Sequence, residues 1–538
     1  MSKLSEYLGQ NLSGEVSTDN LLRNYFAVDA GILRIRPQVV IFPRTIDDIR
    51  KTTRFAWRLA EKGIALPITA RGYGADNTGS SIGSGVVAVF PAHMSKVLEL
   101  DTKIKKIRVQ PGLNMRSLEE ILATHGLFFP IYPPNLKFAT IGGVIAGNTG
   151  GPKSLKYGSA RDWVDRLEVV LSNGEIIQTG NLNRRELSAK KGLQTLEGEI
   201  YRELDALIDE KFDTIMRNYG PLTDGTGYNL RNVKTKDGFD LTPLLVGSGG
   251  TLAITTQAIL KTIEKPAATA LMIVALKTMK NFGDIVEAVN AAGPSEFEFI
   301  DGETLKWVEK NTGIKPLNTL DVSDPAGVLI IELDDGEGAR SKSAKKLYKV
   351  FDEIGALVEI AETADDREDI WAVRYAVDAI MNHHKDNLRA VQFADASVPP
   401  ENIKKLYQVA TKLITIKKLR GFISGRVGAG NITVTALVDL QKIADRQAVF
   451  AFGREFYKYA GKLGGEISGD SCDGRLRQTA ARGQYNDEML GIFEKVKNIF
   501  DPKGILNPGV ILDSEEPRLI ALLNPTPPDR FFDYQPRV

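Results

Sequence analysis

ATIGGVIAGNTGGPKSLKYG, residues 139–158, is the stretch that decides the fold of this chain. Because glycine has no Cβ, the backbone N–H groups of a glycine-rich stretch can approach an anionic ligand closely. A second stretch of the same character, ARGYGADNTGSSIGSG, lies upstream at residues 70–85. Two such stretches favour a single extended, phosphate-bearing cofactor over two unrelated turns.

The common nucleotide-binding fingerprints do not occur in either stretch. Neither contains the GxxxxGK[ST] pattern of a P-loop, and neither gives a clean GxGxxG. We therefore expect serial backbone N–H groups, rather than a lysine, to hold the phosphates.

Four further motifs surround the glycine-rich stretches, in a fixed order: VQPG at 109–112, HGLFFPIYPP at 125–134, GSGGTLAI at 247–254 and FDPKGILNPG at 500–509. Together they resemble the flavin-binding domain of the vanillyl-alcohol oxidase type, also called the PCMH type. In order and spacing the chain is similar to the FAD-linked 2-hydroxy acid dehydrogenases, the D-lactate, glycolate and D-2-hydroxyglutarate group. The resemblance covers residues 35–512.

The resemblance implies an α+β fold, in which a PCMH-type FAD-binding domain of two subdomains is joined to an α/β cap domain with a mainly antiparallel sheet. The expected organisation is an N-terminal helical arm at 1–34, the FAD-binding domain at 35–264, the substrate-binding cap at 265–480, a segment returning to the FAD domain at 481–512 and an extended tail at 513–538.

Local patterns predict the main elements. Residues 45–63 read as a helix capped by Thr45 and ended by Gly63. RLEVVLSNGEIIQTG at 166–180 reads as a hairpin with a type I′ turn at Asn173-Gly174. Beyond Lys265, strand patterns alternate with amphipathic helices, which indicates a cap with its sheet on one side.

Composition excludes several classes of protein. The chain has 538 residues, 43% of them hydrophobic and 25% charged, and its net charge is +1, so nucleic acid is not an expected partner. With Cys472 as the single cysteine and no apolar N-terminal signal, we expect a cytoplasmic protein. No apolar run is long enough to span a membrane. Peripheral membrane association and a homodimer stay open.

By resemblance, the FAD contacts fall on the two glycine-rich stretches, on the proline-rich motif and on two later positions. The implied cofactor-binding residues are Arg71, Gly72, Tyr73, Gly74, Ala75, Asp76, Pro134, Thr140, Gly142, Gly143, Gly147, Asn148, Thr149, Gly150, Gly158, Ile254 and Asn507. Ile254 is expected near the adenine and Asn507 near the isoalloxazine end. Some relatives attach flavin through a histidine, whereas this chain has Tyr73 in the first stretch, so we expect non-covalent FAD.

The chain departs from its relatives at the reacting centre. Where they carry GHxGDGNxH, this sequence has GRVGAGNIT at 425–433, and where they carry GEHGxGR it has GDSCDGR at 469–475. In the family the two histidines of the first motif and the glutamate of the second bind a divalent metal, and the remaining histidine is the proposed base. Because arginine offers no lone pair, a metal site is not expected here.

Arginines are the candidates to replace the metal as the anchor of a substrate carboxylate. Arg426 stands at a lost histidine, and guanidinium pairs bidentately with carboxylate. Arg374 matches the family's substrate-carboxylate arginine, but an ion pair with Asp378 on a surface helix is the alternative. Arg475 fits either a substrate role or a structural ion pair, and Asn431 fits either a contact near flavin and substrate or a turn.

The base stays open. Asp470 would serve if burial raised its pKa, Ser471 is a poor base alone, and His383 or His384 is an alternative to both. Cys472 lies in the same motif, where a reactive thiol and an inert buried side chain are both conceivable.

The sequence thus predicts an FAD-dependent oxidoreductase that oxidises a CH–OH donor, a 2-hydroxy acid such as D-lactate or glycolate, by hydride transfer to flavin N5. The expected partners are that small-molecule substrate and an electron acceptor: a quinone, an electron-transfer protein or dioxygen. Two alternatives remain, an FAD enzyme that acts on a sugar, a lactone or another alcohol, and a flavin-binding protein without catalysis.

Overall fold

The computed structural model describes residues 3–133, 136–218, 225–313, 324–381, 387–467, 472–513 and 515–525. Over these ranges the chain is a mixture of helices and mainly antiparallel sheets, which confirms the α+β class. No helix in the described ranges is long and apolar enough to cross a membrane.

The first lobe is built on a four-stranded sheet with the order β1-β2-β4-β3, whose neighbours beyond β1 run parallel. Its elements are α1 (Lys3–Asn11), β1 (Glu15–Ser17), α2 (Asn20–Tyr25), β2 (Val39–Phe42), α3 (Ile46–Ala60), β3 (Ile68–Arg71) and β4 (Val86–Val89). Thr45 caps α3, as its sequence predicts, and the structure adds the reciprocal hydrogen bond to Asp48 that completes a capping box. The N-terminal arm was predicted to be helical, but it also contributes the strand β1; its second helix, α2, is capped by Asp19.

The second lobe surrounds a five-stranded antiparallel sheet with the order β5-β6-β12-β8-β9. Its elements are β5 (Val97–Asp101), β6 (Lys106–Val109), α4 (Met115–Ala123), β7 (Leu127–Phe128), α5 (Ile141–Gly147), α6 (Ser154–Tyr157), α7 (Ala160–Trp163), β8 (Val164–Val170), β9 (Ile176–Gln178), α8 (Arg184–Lys191), α9 (Leu196–Glu210), α10 (Phe212–Asn218), β10 (Lys234–Thr235), β11 (Gly238–Phe239), α11 (Thr242–Leu245), β12 (Ile254–Lys261) and β13 (Ile263–Glu264).

The hairpin of β8 and β9 forms as predicted, but its turn is not type I′. That type needs a positive φ at both central residues, and of Asn173 and Gly174 only Gly174 has one, at 87°. The Gly174 N–H donates to the Leu171 carbonyl at 2.9 Å, which is the pattern of a longer loop closed by a left-handed glycine.

The cap is an eight-stranded antiparallel sheet with the order β17-β14-β16-β15-β19-β20-β18-β21. Its elements are β14 (Ala270–Leu276), α12 (Phe282–Asn290), β15 (Glu296–Asp301), α13 (Gly302–Thr312), β16 (Gly327–Leu333), α14 (Glu337–Glu353), β17 (Leu357–Ile360), α15 (Ala364–Met381), β18 (Arg389–Ser397), the 3-10 turn η1 (Pro400–Asn402), α16 (Ile403–Ile416), β19 (Arg420–Gly425), the 3-10 turn η2 (Val427–Ala429), β20 (Asn431–Val438), α17 (Ile443–Lys462) and β21 (Glu466–Ile467).

Helices cover both faces of this sheet, so the prediction of a one-sided cap is wrong. Helices α12, α14, α16 and α17 pack with Phe297 and Phe299 of β15 on one face. On the other, Ile300 lies in a cluster with residues of α13 and α15. Alternation along β15 therefore turns Glu296 and Glu298 towards the face of α13 and α15.

The C-terminal segment contains α18 (Gln478–Ala481), α19 (Asp487–Phe500) and α20 (Glu516–Leu522). Helix α19 buries Met489, Phe493 and Val496 in the core of the second lobe. Helix α20 corrects the predicted extended tail, since Pro517 in its first turn is compatible with a helix start. Residues 526–538 lie outside the described ranges.

Candidate functional site

The first glycine-rich stretch follows β3 and carries a row of unused donors. The backbone N–H groups of residues 72–77 make no hydrogen bond to any other described residue. Asp76 shapes the row by accepting hydrogen bonds from Ser80 N at 2.7 Å and from Thr78 Oγ1 at 2.8 Å. A run of unpaired N–H groups in a turn is an anion-binding arrangement.

Glycine is required in this row for steric reasons. A Cβ at Gly72 would lie 2.3 Å from Oγ1 of Thr140, and a Cβ at Gly74, where φ is +82°, would lie 2.2 Å from the Arg71 guanidinium. The first of these contacts shows that the two glycine-rich stretches meet directly, as one shared cofactor requires. Tyr73 lies between the two glycines and Ala75 follows Gly74; both are partly buried, and burial raises the pKa of Tyr73.

The second stretch is a short helix rather than a loop. Thr140 caps α5 by accepting from Gly143 N, while Gly142 N donates to the Pro111 carbonyl at 2.7 Å. Two of the predicted phosphate donors are therefore already used inside the protein. The helix ends at Asn148, whose φ is +48° and whose Oδ1 accepts from Arg161 N at 3.0 Å.

The residues after α5 bring this stretch to the other parts of the chain. Gly147 O accepts from Cys472 N at 2.8 Å, and Thr149 N returns to the carbonyl of Val144 at 3.0 Å. A Cβ at Gly150 would lie 2.7 Å from the Arg426 guanidinium, and one at Gly158, where φ is +75°, would lie 2.2 Å from the Asp162 carboxylate.

Arg71 lies buried beside this cradle. Its guanidinium lies 5.2 Å from the centre of the Phe26 ring, and its Nη1 donates to Ser81 O at 3.3 Å. Its Nε, also buried, makes no hydrogen bond in the described structure. A buried cation with an unused donor beside a row of free N–H groups is suited to a diphosphate.

Sequence reasoning missed the acid that accompanies Arg71. Asp29, in the N-terminal arm, is fully buried, and its burial together with the charge of Asp76 raises its pKa to about 8, against the influence of Arg71. It accepts from Gly31 N at 2.9 Å. Its only sequence signal is the Asp-Ala-Gly turn in the predicted arm, which gives no hint of burial next to the glycine-rich stretch.

The side chains of two predicted site residues, Asn507 and Arg475, hydrogen-bond to distant parts of the protein itself. Asn507 donates to Ser80 O and Gly249 O, both at 2.8 Å, and its Oδ1 accepts from Thr69 and Arg475. Its amide is fully occupied, so a flavin contact through that side chain would require a rearrangement. Arg475 donates to the carbonyls of Gly79, Ile82 and Pro508, which supports a structural role. Its partners are carbonyl oxygens, however, and not the carboxylate of the predicted ion pair.

Ile254 begins β12 in the second lobe, where it pairs with Val170 and is 1% exposed. It packs in a cluster with side chains of the first lobe, including Ile68, Val86 and Leu506. Its contact with an adenine ring stays a prediction.

The two arginines expected to hold a carboxylate both lie beneath the surface, on the cap. Arg374 is not an exposed helix residue: its side chain is 12% exposed and its Nε lies 2.9 Å from Oε2 of Glu298. The side chain of Asp378, its alternative partner, is outside the described residues. Arg426 donates to Ser154 Oγ and to Gly151 O, so it joins the cap to the second glycine-rich stretch.

Asn431 belongs to a buried polar group next to Arg426. Its Nδ2 donates to Asp395 Oδ1 at 2.7 Å, and its Oδ1 accepts from Arg426 N at 3.4 Å. Asp395 in turn lies 3.0 Å from Arg477, with both side chains at most 2% exposed. Asn431 thereby fixes the backbone from which Arg426 extends.

The candidate bases His383, His384, Asp470 and Ser471 lie outside the described residues, as does Pro134, which was predicted to contact FAD. Cys472 is described: it is 3% exposed, and burial raises the pKa of its thiol to about 12. This supports the inert alternative, since the thiolate is the reactive form. Among the described residues, no group of three His, Cys, Asp or Glu side chains could hold a metal ion.

The geometry fits FAD. Free N–H groups at 72–77, the unused Arg71 Nε and the contact between Gly72 and Thr140 together form a cradle for a diphosphate at the junction of the two stretches. FAD, when bound, supplies the redox chemistry, while the protein holds it and orients its substrate.

Comparison with known proteins agrees with this arrangement. The family profile described as "FAD binding domain" matches residues 37–180, and that described as "FAD linked oxidases, C-terminal domain" matches residues 265–511. Among solved structures, a 4-ethylphenol oxidase from Gulosibacter chungangensis superposes with a TM-score of 0.67 at 17% identity, covering 96% of this chain and 97% of that one. A p-cresol methylhydroxylase gives 0.67 at 14% identity, covering 94% and 95%.

Curated relatives extend along nearly the whole chain. A D-2-hydroxyglutarate dehydrogenase of Haemophilus influenzae is 29% identical over 97% of this chain and 52% of its own length. The glycolate oxidase subunit GlcD of Bacillus subtilis is 28% identical over 88% of each chain, and a D-lactate dehydrogenase of Archaeoglobus fulgidus is 25% identical over 88% of this chain and 91% of its own. The chain thus spans about half the length of the Haemophilus dehydrogenase. The two profiles, which match residues 37–180 and 265–511, and these relatives together place this chain in the FAD-linked oxidase family.

Proposed function

We propose that this protein binds FAD non-covalently and oxidises a 2-hydroxy acid of the D-lactate or glycolate kind to the corresponding 2-oxo acid. The observation that carries the proposal is the position of Arg426. This buried cation of the cap reaches Gly151 and Ser154 of the second glycine-rich stretch, so it lies where the cap meets the proposed cofactor site.

A second cation supports an anionic substrate. Arg374, on α15, forms an ion pair with Glu298 of the cap sheet. On the same face of that sheet, Glu332 forms an ion pair with Lys153 of the second glycine-rich stretch. Guanidinium groups at a partly desolvated site bind carboxylates strongly, whereas a sugar or lactone offers no charge to match them. The names of the relatives also support a hydroxy acid, since they refer to 2-hydroxyglutarate, lactate and glycolate.

Non-covalent attachment is supported by the surroundings of the histidines that the structure describes. His93 bonds to Glu15 at 2.7 Å in the first lobe, and His125 bonds to Thr124 at 3.0 Å at the end of α4. Neither contacts the free N–H row at 72–77, where Tyr73 replaces the histidine of some relatives. The electron acceptor, whether quinone, electron-transfer protein or dioxygen, completes the cycle.

The test is the visible spectrum of the purified protein, followed by anaerobic titration with D- and L-lactate, glycolate and 2-hydroxyglutarate, with glucose as the uncharged control. We expect flavin bands that acid denaturation releases into the supernatant and that bleach with one of the hydroxy acids. Bleaching by glucose alone would establish the sugar alternative. Flavin that no donor bleaches would support a protein without catalysis, and no flavin after addition of FAD would refute the proposal.

A further inference from the structure

Three carboxyl groups meet inside the cap, on the face of the sheet that α15 covers. Glu296 and Glu298 lie two residues apart on β15, and Glu332 is directly opposite Glu296 on β16. Their exposed fractions are 1%, 6% and 3%. Like charges directly opposite each other in a sheet are destabilising, so this arrangement needs compensation or a function.

Compensation is complete for two of the three. Glu298 pairs with Arg374 at 2.9 Å, while Glu332 binds Lys153 and lies 3.0 Å from Arg367. Glu296 is different: its Oε1 is buried and makes no hydrogen bond in the described structure. An acceptor that is shielded from water and receives no hydrogen bond is unfavourable, which makes Glu296 the exception in this group.

The group adjoins the residues that the proposed function uses. Lys153 belongs to the second glycine-rich stretch, only one residue before Ser154, to which Arg426 donates. Strand β15 also pairs with β19, the strand that leads directly to Arg426. Of these three carboxyl groups, the one with an unused acceptor oxygen thus lies beside Glu298, which holds Arg374, and opposite Glu332, which holds Lys153.

We propose that Glu296 is the acceptor of the substrate hydroxyl proton, in the role that relatives give to a histidine missing from this chain. The inference rests on the proposed function. The hydroxyl would donate to Glu296 Oε1 and pass its proton there as the C–O bond becomes C=O. The C–H hydrogen leaves with two electrons, which the FAD of the proposed function accepts, so the products are a 2-oxo acid, reduced FAD and a protonated Glu296.

The surroundings suit Glu296 to this role. Burial and the charges of Glu298 and Glu332 raise the pKa of Glu296 well above 4.5, and Lys153 and Arg374 oppose that rise. A carboxylate with a raised pKa is a stronger base than an exposed one, but it accepts a proton only above that pKa. We therefore expect kcat/KM to rise with pH through the raised value.

The test compares Glu296→Gln with Glu359→Gln in the FAD-loaded protein. Glu359 is the matched control, because it lies on β17 of the same sheet, is partly buried and also has an unused carboxyl oxygen. With the hydroxy acid found in the anaerobic titration, Glu296→Gln should slow flavin reduction about 100- to 10,000-fold and abolish the rise with pH, whereas Glu359→Gln should behave as wild type.

A second readout separates catalysis from folding. Propionate and acetate lack the hydroxyl, so their binding, followed by the flavin spectrum, should be unchanged in Glu296→Gln. Glu296→Asp keeps a carboxyl group but places it one methylene further from the substrate. Its kcat/KM should still rise with pH, while flavin reduction should be at least about tenfold slower than in wild type. This variant provides the test if the glutamine variant does not fold.

The outcomes distinguish the two proposals. Failure of every hydroxy acid to reduce the wild-type flavin would refute the proposed function itself. If the wild type is reduced and Glu296→Gln is reduced equally fast with the same pH dependence, Glu296 is not the base and the proposed function stands. Loss of propionate binding with an unchanged rate at saturation would also overturn the inference, because it would assign Glu296 to carboxylate binding alone.

Discussion

Asp29 provides a quantitative test of the buried charge beside the first glycine-rich stretch. The perturbation is Asp29→Asn, which keeps the shape of the side chain and an oxygen that can accept from Gly31 N. Asp29 is fully buried, and burial raises its pKa from an ordinary 3.8 to about 8. The variant removes this titration and leaves the rest of the site in place.

The direction in which the free energy of unfolding changes with pH follows from the number of protons bound in the folded and the unfolded state. Between pH 3.8 and about 8 the folded chain keeps Asp29 protonated, while the unfolded chain ionises it. Unfolding therefore releases a proton, and rising pH costs wild-type stability about 1.4 kcal/mol per pH unit in this window. Below the window both states are protonated, and above it both are ionised. Asp29→Asn should consequently gain stability relative to wild type as pH rises, by about 4 kcal/mol from pH 5 to 8.

The assay is urea unfolding followed by tryptophan fluorescence at pH 5, 6, 7 and 8, with FAD in constant excess. Asp301→Asn is the comparison, because Asp301 is also buried in the cap and its pKa is raised to about 6. The stability that Asp301→Asn gains relative to wild type should stop increasing near pH 6, whereas the stability that Asp29→Asn gains should increase up to about pH 8. A difference between wild type and Asp29→Asn that is the same at pH 5 and pH 8 would refute the reasoning.

Two substitutions and one chemical modification test the candidate site further. Arg426→Ala should lower kcat/KM for a hydroxy acid by the equivalent of about 2–4 kcal/mol, since a buried charge pair is lost, and unchanged steady-state kinetics would remove Arg426 from the site. Gly74→Ala should weaken FAD binding in a fluorescence titration, because its Cβ would lie 2.2 Å from the Arg71 guanidinium at a φ of +82°; wild-type affinity would show that the cradle is not used. Cys472 should resist iodoacetamide at pH 8 in the folded protein and react in urea, given its pKa of about 12, and rapid alkylation of the native chain would contradict its burial.

The sequence predicted those elements whose determinants are local. Thr45 caps α3 as predicted, and its partner in the capping box, Asp48, lies only three residues away. The alternation beyond Lys265 predicted β14, β15, β16 and β17, and all four form. Each of these features depends on side chains within one turn or one strand, which is the range over which periodicity carries information.

Other features depended on contacts that no local pattern contains. Helix α5 has the sequence IGGVIAG, and because glycine is a poor helix former, the sequence alone does not predict a helix here. The helix forms because Thr140 caps it and because Ile141, Val144 and Ile145 are buried in the core of the second lobe. Packing therefore overrides propensity at the stretch that decides the fold.

The buried glutamates show the same limit for the site. EFEFID at 296–301 starts with alternating charged and apolar residues, a pattern typical of a strand with one solvated face, yet all six residues are buried. The cations that make this possible are distant in sequence: Arg374 is 76 residues from Glu298 and Lys153 is 179 residues from Glu332. Only the tertiary fold reveals that the apparent polar face is a charged interior.

The charges of this interior also bear on the choice of substrate. Lys153, Arg367 and Arg374 surround two paired carboxylates, those of Glu298 and Glu332, and Arg426 adds a further cation at the second glycine-rich stretch. These cations gather at a partly desolvated site, which favours an anionic ligand. A hydroxy acid would supply that anion through its carboxylate and a donor for Glu296 through its hydroxyl. A sugar could supply only the donor, so this set of cations favours the hydroxy acid.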